Sequence, residues 1–156
     1  MIRFKCLSSE ELAVLEKQFV SFLAAQSILA PDWVKIKSSD PLQAQEIIED
    51  FSNMVYGSVM SDTKHLELKT SHTLYCYQCL SDRFVLIALE IDKSLDVDLR
   101  DIELKNVKDV ASSAQMHVYT TEKPYTKEKV DEVFGMMEMG CEITDGRMFK
   151  VLGLML

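Results

Sequence analysis

The feature that most constrains this chain is a change in apolar spacing near residue 62. Before it, apolar residues recur every three or four positions, as on one face of a helix; after it they alternate, as on a half-buried strand. A chain that keeps the two periods in separate blocks builds segregated helices and strands, the α+β arrangement.

The helical block carries its own boundary signals. Ser8-Ser9-Glu10-Glu11 reads as a capping box, in which the Ser8 oxygen accepts the Glu11 amide while Glu11 reaches back. Leu12, Leu15, Phe19, Phe22 and Leu23 follow on one face, so a single helix is expected from Ser8, with Glu16 and Gln26 at the edge of the stripe. Ile28 to Ser39 is expected to be a link, with Pro31-Asp32 opening a short turn that carries Trp33, Val34 and Ile36. Asp40-Pro41 then starts a second long helix, aspartate as N-cap and proline at the first helical position. Its predicted core face is Ala44, Ile47, Ile48, Phe51, Met54, Val55 and Val59, with Ser58 inside that face and an end near Ser61-Asp62.

In the second block Leu66 and Leu68 alternate with His65, Glu67 and Lys69, a pattern suited to a sheet edge. Thr73 to Leu80 reads as a second strand. Phe84 to Ile91 is nearly unbroken apolar, which predicts a central strand covered on both faces. Short connections favour an antiparallel meander. Leu95 to Ala114 mixes both periods, and a helix from about Asp101 to Ser113 is expected there. Met116, Val118 and Thr120 give a fourth strand that Lys123-Pro124 ends. Thr126 is expected to cap a helix with the stripe Val130, Val133, Phe134 and Met137, closed by Gly140 at C′. Thr144 or Asp145 is expected to cap a last helix carrying Met148, Phe149, Val151, Leu152, Met155 and Leu156. The fold expected is therefore α+β: an antiparallel sheet of about four strands, a three-strand meander plus one, packed by N-terminal and C-terminal helix pairs in one globular domain over residues 1–156.

Charge limits the partners. The formal net charge of −8 repels phosphate backbones and anionic headgroups, so neither a nucleic-acid nor a membrane partner is expected. No run approaches the roughly 18 apolar residues of a membrane span, and Met1 to Leu7 leads directly into Ser8-Ser9-Glu10-Glu11 without the apolar core of a signal peptide. A cytoplasmic location is the expectation, with Cys6, Cys76, Cys79 and Cys141 as buried, reduced thiols.

Candidate chemistry is sparse. Cys76-Tyr77-Gln78-Cys79 has the spacing of a redox or zinc pair, but residues three apart on a strand face opposite ways, and no second pair stands at a zinc spacing. His65, His72 and His117 are isolated; two are expected on exposed strand faces and one in a turn. Glu46, Glu49, Asp50 and Asp62 lie off the apolar stripe, whereas di-metal bundles aim carboxylates inward. Gly57, Gly135, Gly140, Gly146 and Gly153 form no phosphate-binding loop. Methionine is the informative oddity, since five of nine follow residue 135. Met137 belongs to the stripe of its helix, but Met136 and Met139 point roughly the other way. Either the last helix folds back over them, or they form an adaptable interface with another chain.

Phe22-Leu23-Ala24-Ala25-Gln26-Ser27-Ile28, Asp32-Trp33, Lys35-Ile36-Lys37, Pro41, Ala44 and Phe51-Ser52 together resemble a family of small proteins of undetermined function from Bacteroidota. Gly140 with Ile143-Thr144-Asp145-Gly146 resembles its C-terminal segment. The resemblance implies a bacterial cytoplasmic protein and carries over no catalytic or binding residue. Three readings stay open. The first is a non-enzymatic interaction module, a homodimer or the binder of another protein, with Met136 and Met139 at its interface. The second is a small-molecule binder or enzyme with a pocket between sheet and helices, lined by Trp33, Tyr56, Tyr75, Tyr77 and Tyr119. The third is a thiol or zinc site at Cys76 and Cys79. No cofactor is expected.

Overall fold

A computed structural model describes residues 1–111 and 116–156 of the chain. It forms two compact units, Met1–Val59 and Met60–Leu156.

The first unit is helical: α1 (Ser9–Val14), α2 (Glu16–Ala25), α3 (Ala30–Ser39) and most of α4 (Pro41–Asp62). The capping box forms as the sequence indicates: the Glu11 N–H donates to Ser8 Oγ at 3.1 Å and the Ser8 N–H to Glu11 Oε1 at 3.0 Å. The single helix expected from Ser8 is broken at Leu15. Hydrogen bonds from Leu15 N–H to Glu11 O and from Phe19 N–H to Leu15 O bridge the break, so the apolar stripe continues through it. The expected link over 28–39 is instead largely a ten-residue helix. The Asp32 carboxylate accepts the Leu29 N–H at 3.0 Å, and Pro31 sits in the first turn, where its missing donor is not needed. Asp40 caps α4 as expected, accepting the Gln43 N–H at 3.2 Å.

Leu7, Phe19, Leu23, Ile47 and Phe51 form the core of this unit, with Trp33 edge-on to Phe19 at 5.2 Å between ring centroids. Two residues assigned to the core face of α4, Met54 and Val59, are exposed, as is Ser58. From Ala44, Ile47 and Phe51 the buried line runs on to half-buried Val55 and sideways to Ser52. Ser52 is fully buried and satisfied: it accepts the Leu7 N–H at 2.9 Å and donates to Ile48 O at 2.7 Å. Those two bonds offset the desolvation that would otherwise keep a hydroxyl out of a core.

The second unit holds a five-stranded antiparallel sheet in the order β4-β3-β2-β1-β5: β1 (His65–Lys69), β2 (Thr73–Cys79), β3 (Arg83–Ile91), β4 (Met116–Pro124) and β5 (Glu142–Ile143). The α+β class and the meander β1-β2-β3 with β4 added are as the sequence indicates. The short β5 is the additional strand, and it pairs with Leu66 and Glu67, so the outer side of β1 is covered there rather than left as an edge. β3 lies between β2 and β4 with both faces buried, Phe84 and Ala88 on one side, Ile87, Leu89 and Ile91 on the other.

The helix expected from about Asp101 to Ser113 does not form as one helix over its described part, residues 101–111. Two 3₁₀ turns, Leu99–Asp101 and Leu104–Asn106, precede the short α5 (Val107–Ala111); Ser112 and Ser113 of the expected helix lie outside the described residues. Leu99, Ile102 and Val107 of this segment all reach the same core. With α7 (Arg147–Gly153), through Met148 and Leu152, these residues cover the sheet face made by Leu74, Cys76, Ile87, Leu89 and Ile91.

Candidate functional site

The other sheet face carries Leu66, Tyr77, Leu86 and Thr121 in one cross-strand row and Cys79, Phe84 and Lys123 in the next. α6 (Lys129–Glu138) lies over this face. Thr126 does not cap it, contrary to expectation; Glu128 occupies the N-cap position, and the Glu132 carboxylate gathers the Thr126 N–H and hydroxyl and the Lys127 N–H at 2.9–3.1 Å. Those donors hold the Glu132 carboxyl below its ordinary range despite the opposing effect of its desolvation. The C-terminus is as expected. The Gly140 N–H bonds to Met137 O and the Cys141 N–H to Met136 O, a Schellman turn that needs the left-handed backbone of Gly140 at φ +104°.

That turn fixes the two methionines singled out by the sequence. Met136 is half-buried, Met139 is 70% exposed, and both line a cleft of about 240 Å³ with Tyr77, Phe84, Leu86, Thr121 and Lys123. Of the two alternatives left open, the last helix does not fold back over them, because α7 packs on the opposite sheet face. Its start also differs from expectation: Gly146, at φ +84°, takes the N-cap position, with Asp145 Oδ1 accepting the Arg147 N–H at 3.0 Å. A methyl group at Gly146 would stand 2.5 Å from His65 Nδ1.

The remaining candidates are dispersed. Cys76 and Cys79 fall on opposite sheet faces, both buried. Burial pushes the Cys76 thiol far up and the Cys79 thiol up to about 11, so both are protonated near neutral pH and poor nucleophiles. Among the described residues no group of three or more His, Cys, Asp and Glu is placed to hold a metal ion. His65 is not on an exposed face as expected: it is half-buried against Gly146 and 5.4 Å from the Phe149 ring, and this desolvation lowers its pKa. His72 sits in the turn beside Ser71 Oγ at 2.9 Å, and exposed His117 stacks on Tyr119 at 5.5 Å. Glu46, Asp50 and Asp62 are exposed, while Glu49 meets the Met1 ammonium at 3.5 Å. Trp33 and Tyr56 belong to the first unit and Tyr75, Tyr77 and Tyr119 to the second.

Two more of the hollows formed by the described residues were not legible in the sequence. One, of about 280 Å³, is lined by Glu67, Lys69, Arg100 and Glu142; its Lys69 ammonium donates to Ile102 O and its Arg100 is forked onto Asp98, which pulls the Asp98 carboxyl down to about 2. The other is an apolar groove of about 340 Å³ between α2 and α3, floored by Phe19, Leu23 and Trp33. Val20, Leu29 and Val34 at its rim are apolar, but the hollow depends on the spread of the two helices, which local spacing does not give.

The chain belongs to the family of unknown function DUF6495, whose model matches residues 1–156. No curated protein and no solved structure matches it.

Proposed function

We propose that this member of the DUF6495 family is a non-enzymatic protein-interaction module of a bacterial cytoplasm, and that it self-associates through the cleft of Met136 and Met139. The observation that carries the reading is that cleft itself. An unbranched, polarisable and largely exposed Met139 stands beside Met136 over Tyr77 and Leu86, an apolar surface able to adapt to an opposing chain. Four free cysteines fit a reducing compartment. The alternative of a small-molecule pocket between sheet and helix has less support, because about 240 Å³ lies below the roughly 300–1,000 Å³ of ordinary ligand sites, and among the described residues Lys123 is the one charged side chain lining it. The thiol or zinc reading gains none from two sulfurs on opposite faces.

Sedimentation equilibrium tests the reading. The wild-type protein is expected to associate with rising concentration, and more strongly at higher salt, because two copies each carrying −8 repel one another less when screened. Met139→Glu, at an exposed site that the fold tolerates, is expected to abolish that contact. A wild-type protein that remains monomeric at hundreds of micromolar rules the proposal out.

A further inference from the structure

The groove between α2 and α3, of about 340 Å³, is an apolar concavity of the first unit that its core does not fill. Its rims are Val20, Leu29 and Val34, which are 53%, 63% and 62% exposed. A small molecule resting on Phe19 and Trp33 would leave those rims in water, whereas the apolar face of another helix pair would cover floor and rims together. Ala24 and Ala30, also in its lining, allow a second backbone to come close.

The charges of the groove select the occupant. α2 runs into the turn at 26–29 and α3 runs out of it, so Glu16 and Lys37, which both line the groove, lie toward its end away from that turn. A surface that carries its own acid and its own base at one end is self-complementary under a twofold axis running along it, which is the requirement of an isologous contact. We propose that a second copy of this chain occupies the groove, α2 and α3 of each copy forming a four-helix layer in which Glu16 meets the partner's Lys37 and Lys37 the partner's Glu16. The rims Val20 and Val34 supply the apolar seam. The proposal extends the self-association reading to a second surface and rests on that reading only for the order of assembly: with both contacts available, the chain assembles beyond a dimer.

Sedimentation equilibrium on single and double variants separates the two contacts. Val34→Glu, on an exposed rim, is expected to stop assembly at the dimer joined by the Met139 cleft. Met139→Glu is expected to stop it at the dimer joined by the groove, and the double variant to be monomeric. If Val34→Glu leaves the mass distribution unchanged, the groove proposal falls while the cleft reading stands. If Met139→Glu changes nothing and Val34→Glu alone yields monomer, the groove stands and the cleft reading falls. In the Met139→Glu background, Glu16→Lys and Lys37→Glu are each expected to weaken the remaining dimer about tenfold, since attraction becomes repulsion at two symmetric pairs. The combined exchange is expected to restore it; failure to restore overturns the twofold pairing. Trp33, the one tryptophan of the chain, gives an independent signal: its emission should shift to the blue as the Met139→Glu protein is concentrated, and should not in Val34→Glu.

Discussion

The helical unit and the sheet unit are vulnerable in opposite ways. In the helical unit, side chains do the positioning: Ser8, Asp32 and Asp40 cap helices, and Ser52 ties Leu7 to α4 from inside the core. Taking a side chain away is what harms it. In the sheet unit, two backbones without side chains do the positioning. Gly140 turns α6 toward β5 and Gly146 starts α7 against His65, and both need left-handed φ values. There, adding a side chain is what harms. The contrast teaches that lost side-chain packing and hydrogen bonds rank mutations in the first unit, while backbone sign and free space rank them in the second.

Phe51→Ala should have the largest effect, about 4 kcal/mol, because a fully buried ring in contact with Phe19 and Phe22 leaves a cavity. Urea unfolding followed by Trp33 fluorescence reports the helical unit, and near-ultraviolet tyrosine dichroism reports chiefly the sheet unit, which holds Tyr75, Tyr77, Tyr119 and Tyr125. Both transitions are expected to shift together, because α4 contributes residues to both units. A tyrosine transition that stays in place while the tryptophan one moves would break the comparison into two independently folding bodies.

Gly146→Ala comes next, at about 3 kcal/mol, combining a disfavoured φ with a methyl group driven into the His65 ring. Adding His65→Ala should recover part of the loss, and strictly additive midpoints in that double-mutant cycle would show that the imidazole is not what the methyl meets. Ser52→Ala follows at about 2 kcal/mol, since it strands the buried Leu7 N–H while removing almost no volume. A midpoint within a few tenths of a kcal/mol of wild type would mean that water replaces the hydroxyl.

The smallest effect is a pH slope. Burial and the nearby Lys150 lower the His65 pKa in the folded state below the value of about 6.5 for an unfolded chain. The unfolded state therefore binds the proton more readily, so this contribution to stability is present above about pH 6.5 and is lost as pH falls through the folded pKa. The melting temperature should fall between about pH 7 and pH 5, and His65→Gln should flatten that slope. An unchanged slope in the variant would assign the acid sensitivity to other groups.

The same contrast governs how much could be read in advance. Caps and stripes act within four residues, so the capping box at Ser8, the Asp40-Pro41 start and the unbroken apolar run of β3 were legible. Met54 and Val59 were misplaced because a stripe predicts a face but not how wide a neighbour covers it, and α3 was underestimated because Pro31 was taken as a turn signal rather than a first-turn proline. Met136 and Met139 stood out because their angular position was read as contradicting the core stripe, yet half-buried Met136 shares its cleft with Tyr77, Phe84 and Leu86 of the sheet, and Met139 is the exposed one of the two. The α2–α3 groove did not stand out, since a hollow between two helices depends on how far they spread, and no local spacing encodes that.

By itself, then, the sequence determined where helices begin, where the period changes from 3.6 to 2, and which residues are apolar enough to seek cover. Tertiary structure alone decided that β5 closes over Leu66 at a separation of 77 residues, that the Leu99, Ile102 and Val107 segment covers one sheet face with α7, and that Gly146 must yield room to His65. The physical reason is range. Hydrogen bonds and side-chain rows within a turn or a strand are fixed by neighbours along the chain, whereas register, cover and free volume are set by segments that meet only after the chain has folded.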